Sequence, residues 1–265
     1  MECKNCHTNL RTDFSYCPDC GAKVIRNRLT VKNLWYDATE RFFNIDNTFL
    51  ITFKHLFTKP DEVIGGYING VRKKYLNPIN YFTIALTLGG LFVYVYSEFF
   101  PNAFDFDFLY NHGDSMSEAD KMGQEFQKNW NTYFFKYQSL FYIAMLPFLA
   151  MISRLVFFNK KQYNLSEHFV INIYAYSHMS IIVNLLYLLS LWNSRLFFYV
   201  SFGNMIFQIL FFTWVFHKIF NLTIKQTALK LLLFFLALFV IYIIMVIIVF
   251  GYMIIFTDFV EKITT

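Results

Sequence analysis

The chain has 265 residues, of which 56% are hydrophobic and only 15% are charged, and phenylalanine alone occurs 35 times. Soluble domains contain about 45–50% apolar and about 25% charged residues, so a water-soluble globule of this composition would lack charged side chains for its surface. The net charge of +5 is small, and it favours contact with lipid headgroups over nucleic acid. The composition excludes a soluble enzyme, a disordered regulator and a disulfide scaffold, and it predicts an all-α polytopic membrane protein.

The four cysteines form two Cys-x2-Cys pairs near the N-terminus: Cys3, Cys6, Cys17 and Cys20. Each pair can direct two sulfur atoms to one point, and Gly21 suits a turn that needs a positive φ. Four thiolates complete a closed tetrahedral shell, which predicts a zinc ribbon over residues 1–25 with a structural zinc ion. Two disulfides, four thiols without a metal, and an iron–sulfur cluster are the alternatives. The first residues lack the apolar run of a secretory signal, which indicates a cytoplasmic N-terminus where thiols stay reduced.

Residues 26–77 are predicted to form a basic linker followed by amphipathic helices. Apolar residues recur at helical spacing and leave the charged residues off their stripe: Leu34, Ala38, Phe42, Ile45, Phe49, Phe53 and Leu56. Such a helix can lie in the headgroup plane or pack against the spans, and both placements remain open.

A second short helix is predicted to begin near Pro60, with Asp61 and Glu62 in its first turn, and to end in the glycines of residues 65–70. A basic turn follows immediately before the first span and contains Arg72, Lys73 and Lys74. Such a cluster is an inside-retention signal and a candidate contact for anionic lipid headgroups.

Five apolar runs are each long enough to cross a bilayer, which needs about 20 residues. They cover residues 79–97, 137–158, 168–192, 196–216 and 231–256, within a transmembrane domain of residues 78–265. The long loop at 98–136 is acidic, whereas most lysines and arginines flank the opposite ends of the spans. This bias predicts a cytoplasmic N-terminus and a C-terminus on the outside.

Several short patterns resemble a bacterial inner-membrane family of unknown function. They are Tyr16-Cys17-x2-Cys20-Gly21, Arg28-Leu29-Thr30, Gly66-Tyr67-x2-Gly70-x-Arg72-x2-Tyr75-x2-Pro78, and Glu167-His168 at the start of span three. The resemblance implies a ribbon-bearing protein of the bacterial inner membrane, and it supplies no catalytic residue. The five-span plan also resembles Yip-type membrane proteins, in topology alone.

Polar side chains within the spans are the default functional candidates because they are costly to place in lipid. Spans three and four carry a set that could form a polar seam between them: Glu167, His168, Asn172, Tyr176, His178, Asn204 and Gln208. His168, Asn172 and Tyr176 are four residues apart and share a helix face. The alternative is hydrogen bonding that holds packed helices together.

The sequence favours a non-enzymatic membrane scaffold or sensor whose cytoplasmic ribbon recruits a protein partner. The competing hypothesis is a transporter or channel for a small ion or a polar or lipid solute through the seam. A membrane-embedded lipid enzyme using Glu167, His168 and His178 is the least favoured, because no known catalytic spacing is present. Membrane lipid is the other expected partner, and nucleic acid is not expected.

Overall fold

The computed structural model describes residues 2–22, 24, 30, 48–101, 103–104 and 133–256. The chain divides into two compact units, Met1–Asn47 and Thr48–Thr265, and each is considered by itself. Much of the predicted amphipathic stripe (Leu34, Ala38, Phe42, Ile45), the Arg28-Leu29 connector and most of the acidic loop lie outside the described residues. The described residues contain helices and turns but no named strand.

The second unit is a series of helices whose starts are set by local capping. Asn77, Asn164 and Asn193 each accept a hydrogen bond from a backbone N–H in the first turn of the following helix, which satisfies one of the unpaired donors there. Residues 48–58 are helical and are labelled α1. The helices that follow are α2 (Pro60–Ile68), α3 (Pro78–Phe99), α4 (Gln138–Val156), α5 (Leu165–Ser190), α6 (Ser194–Ile219) and α7 (Ile224–Phe256).

Within the described part of the chain, α3 to α7 are the five helices long and apolar enough to cross a membrane. The five predicted spans are confirmed. The fifth helix begins at Ile224, seven residues earlier than the apolar run indicated. Its first turns contain Lys225 and Lys230, and the latter turns inward to donate hydrogen bonds to Val156 O and Asn159 Oδ1, so the charge does not end the helix.

Helix α5 lies at the centre of the bundle and packs against α3, α4 and α6. Its side chains are the most buried of the five spans, whereas α7 exposes an almost continuous apolar surface. Water would penalise such a surface, but the hydrocarbon of a bilayer does not. The distribution of exposed leucine, isoleucine and phenylalanine is that of a protein with lipid as its solvent.

Helices α1 and α2 pack on the spans. Leu56 and Thr52 in α1 are fully buried, as are Val63 and Ile64 in α2, and α2 contacts α5 and α6. Lys54 faces outward, off the apolar stripe. For residues 48–57, the structure therefore favours packing over a position in the headgroup plane.

The two ends of the bundle differ in their side chains. One end is an aromatic cluster in which Phe92, Phe104 and Phe197 meet. The other end joins the C-terminus of α4 to the N-terminus of α7 through Lys230. This second end is called the basic end, since its loops and helix termini carry Arg72, Lys73, Lys74, Lys160, Lys161, Lys218, Lys225 and Lys230.

Candidate metal centre and the polar residues of the bundle

The two cysteine pairs form equivalent turns. His7 N donates to Cys3 O and Gly21 N donates to Cys17 O, both at 2.9 Å. The residue after each pair has a positive φ, 62° at His7 and 69° at Gly21. Glycine adopts this region without strain, as the sequence predicted for the second turn, whereas His7 holds it with a side chain.

The four sulfur atoms converge on one point and form no disulfide. They all lie within 4.8 Å of one another, with Cys3 Sγ 3.7 Å from Cys20 Sγ and Cys6 Sγ 3.5 Å from Cys17 Sγ. A tetrahedral zinc ion with Zn–S bonds of about 2.3 Å places its sulfur ligands about 3.8 Å apart. The donor set and spacing therefore fit one tetrahedral metal ion, with all four positions filled by protein.

The surroundings of the thiols lower the pKa of Cys6 and Cys20 and raise the pKa of Cys17. A hydrogen bond with the Asn5 side chain lowers the pKa of Cys20 to about 6, and hydrogen bonds with Thr8 lower the pKa of Cys6. A backbone hydrogen bond from Cys20 favours the Cys17 thiolate, but burial and the neighbouring sulfur atoms raise the pKa of Cys17 to about 11. A bound cation removes this conflict, because metal coordination deprotonates the thiols outright.

Two of the predicted seam residues contact span two. His168 Nδ1 lies 3.0 Å from Ser153 Oγ on α4, and Asn172 Nδ2 donates to the same hydroxyl at 2.9 Å and to His168 O. All three side chains are buried. Glu167 lies at the start of α5, where it completes a capping box with Asn164. Ser153, His168 and Asn172 thus form one hydrogen-bonded group at the interface between α4 and α5.

His178 lies at the meeting point of four helices and is fully buried. Its Nδ1 is 2.7 Å from the Tyr81 hydroxyl on α3. Its ring is enclosed by Phe53 and Phe57 of α1 and Phe211 of α6, with ring centroids 4.7, 4.3 and 5.0 Å away. We call these five side chains the histidine cluster. It joins α1, α3, α5 and α6 through one polar contact within an aromatic shell.

The remaining seam residues lie apart. Tyr176 packs against Tyr142 of α4, and Asn204 Nδ2 reaches the Tyr187 hydroxyl across α5 and α6 at 3.4 Å. Gln208 and Tyr176 both line an apolar cavity that has walls from four helices, α4 to α7. The seven residues therefore face several neighbouring helices and do not form one continuous surface between spans three and four.

The basic turn is partly engaged by its own surroundings. The Arg72 guanidinium stacks on the Tyr67 ring at 4.0 Å and donates to Tyr67 O, and Lys74 Nζ lies 3.7 Å from Glu62 Oε2. Lys73 is exposed. The turn thus presents positive charge from a fixed backbone at the basic end, as contact with lipid headgroups requires.

Sequence reasoning missed the hydrogen bonds that hold the backbone of Leu76, two residues before α3 begins. The Leu76 backbone N–H donates to Thr52 Oγ1 at 2.9 Å, and its carbonyl accepts from the Tyr174 hydroxyl at 2.6 Å. Both side chains are fully buried. Thr52 lies on the same helix face as the predicted apolar stripe. A hydroxyl among apolar neighbours indicates a buried hydrogen bond, and this was the signal available in the sequence.

A family described as a protein of unknown function (DUF3667) has a model that matches residues 46–89. This segment includes α1, α2, the basic turn and the first half of α3, and it supplies Phe53, Phe57 and Tyr81 to the histidine cluster. No curated protein and no solved structure matches the chain. Over this segment, the chain is similar to a family without an assigned function.

Proposed function

We propose that the protein is a non-enzymatic membrane scaffold or sensor in which the four cysteines hold a structural zinc ion and the resulting module recruits a protein partner. The carrying observation is the convergence of four sulfur atoms from two equivalent turns. Protein ligands fill every position of such a shell, so the metal has no open site for substrate. A module of this size cannot bury a core, and metal binding supplies its folding free energy.

The contacts inside the bundle support a scaffold more than a channel. Ser153, His168 and Asn172 bond to one another, and His178 bonds to Tyr81 within aromatic rings. These are hydrogen bonds of the kind that join packed helices. We place the basic end on the cytoplasmic side of a bacterial inner membrane, following the positive-inside rule.

Site-specific photocrosslinking in intact membranes tests the recruitment. A photoreactive side chain at Tyr16, which is 59% exposed, is expected to yield a discrete protein adduct in the full-length chain. The adduct is expected to disappear in the Cys17→Ser background, because the module then loses a metal ligand and its fold. A probe at Tyr199, 67% exposed on α6, is the matched control and is expected to be insensitive to Cys17→Ser. An adduct at Tyr16 that persists without the cysteine would overturn the proposal.

Transport remains the competing proposal because Tyr176 and Gln208 both line the cavity beside α6. The Gln208→Leu variant separates the two functions. A transporter that uses this residue is expected to lose flux while its expression and melting temperature stay unchanged. The scaffold proposal expects no change in crosslinking from Tyr16 in the same variant.

A further inference from the structure

A cavity of about 270 Å³ lies among α4, α5, α6 and α7. Its walls are almost entirely apolar and come from all four helices, for example Leu149, Tyr176, Phe212 and Leu238. This volume lies just below the about 300–1,000 Å³ of typical small-molecule pockets, so it suits one slender apolar group better than a bulky ligand.

Lys230 is the one charged residue among those that line the cavity. This residue is 8% exposed, and its Nζ donates to Val156 O at 2.5 Å and to Asn159 Oδ1 at 2.7 Å. The rings of Phe157 and Phe158 flank the ammonium group at 5.3 and 5.7 Å. No carboxylate of the described residues lies within 4.0 Å of it.

An ammonium group can donate three hydrogen bonds, and Lys230 uses two of them on neutral acceptors. The two bonds place a cation at the negative end of α4, which is favourable. They do not neutralise it, and a buried charge without a counter-ion is costly. An anionic ligand at the basic end would supply the negative charge that the Lys230 ammonium group lacks.

We propose that the cavity binds an anionic glycerophospholipid, with one acyl chain between α4, α6 and α7 and the phosphate paired with Lys230. The lining residues of α7 extend from Thr227 to Leu238, and the part from Lys230 to Leu238 is about 12 Å long at about 1.5 Å per residue along the helix axis. A chain lying along this path points into the bilayer, while its phosphate lies at the level of the helix termini. Charge complementarity at Lys230 selects an anionic lipid over a zwitterionic one. The inference is independent of the metal module.

The test uses the full-length protein in a neutral detergent, titrated with dioleoylphosphatidylglycerol or dioleoylphosphatidylcholine, with bound lipid counted by native mass spectrometry. Both lipids carry the phosphate that pairs with Lys230, but the choline of phosphatidylcholine adds a positive charge close to the ammonium group. The parent is therefore expected to prefer phosphatidylglycerol by about fivefold or more. Lys230→Met is expected to bring the two affinities within about twofold, and Lys230→Arg is expected to keep the preference. The matched control is Lys225→Met, an exposed lysine on the same helix, which is expected to behave like the parent.

A second pair of variants tests the apolar part of the cavity. Leu238→Trp fills the space and is expected to weaken both lipids, whereas Leu232→Trp, on the exposed face of α7, is expected to change neither. Inorganic phosphate at equal concentration is expected not to compete. Equal affinity for the two lipids in the parent, or unchanged binding in Lys230→Met, would overturn the proposal. Competition by free phosphate would also overturn it, because the anion would then bind without its chain. If Lys230→Met does not fold, the comparison of lipid binding by Leu238→Trp and Leu232→Trp tests the proposal, and equal binding by these two variants would overturn it.

Discussion

The hydrogen bond between Thr52 and the Leu76 backbone provides a sharp test of how α1 is held on the spans. Replacing Thr52 by valine keeps the shape of the side chain and removes only the hydroxyl. That hydroxyl is fully buried, accepts from Leu76 N at 2.9 Å and donates to Thr48 O at 2.6 Å. In the variant, the Leu76 N–H has no acceptor in a buried site.

The expected cost follows from that unpaired donor. A buried donor left without an acceptor destabilises a protein by about 1–3 kcal/mol, and the isosteric valine adds no cavity. The central value of about 2 kcal/mol corresponds to about a 30-fold change in the unfolding equilibrium. For a unit of 150–250 residues it lowers the melting temperature by about 4–8 °C.

Thermal melting of the detergent-solubilised protein measures the effect. Thr83→Val is the matched control, because the Thr83 hydroxyl is exposed and donates to Ile79 O one turn earlier in its own helix. We expect this control to stay within about 0.5 kcal/mol of the parent. Equal melting temperatures for Thr52→Val and Thr83→Val would refute the assignment of Thr52 as the acceptor that holds the start of α3.

Three further outcomes are expected. Gly21→Ala is expected to weaken zinc retention against a chelator by about 1–2 kcal/mol, because alanine is strained at a φ of 69°, whereas His7→Gly is expected to strengthen it. Zinc affinity, measured by chelator competition, is expected to fall as the pH drops below about 11, where the Cys17 thiol takes up a proton. It is expected to fall more steeply below about 6, because the Cys20 thiolate is present above that pH and is lost below it. Tyr81→Phe is expected to lower stability by about 1–3 kcal/mol in a melting experiment, because His178 Nδ1 loses its partner in a buried site.

Features encoded locally in the sequence were predictable. The second cysteine turn, with its glycine of positive φ, follows from the spacing of Cys17, Cys20 and Gly21, because the turn is formed within a few residues. The five spans follow from apolar runs of membrane length. The start of α2 at Pro60 and its end before Gly70, which has a φ of 96°, follow from the conformational preferences of proline and glycine.

Contacts between side chains of different helices were not predictable from the sequence. The spacing of His168, Asn172 and Tyr176 places them on one helix face, but nothing in that spacing identifies α4 as the neighbour they contact. His178 lies ten residues after His168, and its aromatic shell comes from helices far apart in the chain. Long-range packing decides these contacts, and one sequence does not reveal it.

The start of α7 shows a different reason for an error. The apolar run begins at 231 because Lys225 and Lys230 interrupt the hydrophobic pattern. The helix nevertheless begins at Ile224, since Lys225 is exposed and Lys230 finds acceptors at the end of α4. Lysine has a high helix propensity, but moving it from water into the hydrocarbon core is costly. Hydropathy therefore marks where the membrane core begins and not where the helix begins.

The most direct test of the central claim is the metal content of the full-length protein extracted from membranes with detergent. Elemental analysis of the parent is expected to find zinc at about one ion per chain, and Cys17→Ser is expected to retain little of it. Recovery of the parent in the soluble fraction would contradict the membrane fold. A membrane-extracted parent without zinc, or with iron in its place, would contradict the metal module on which the proposed function depends.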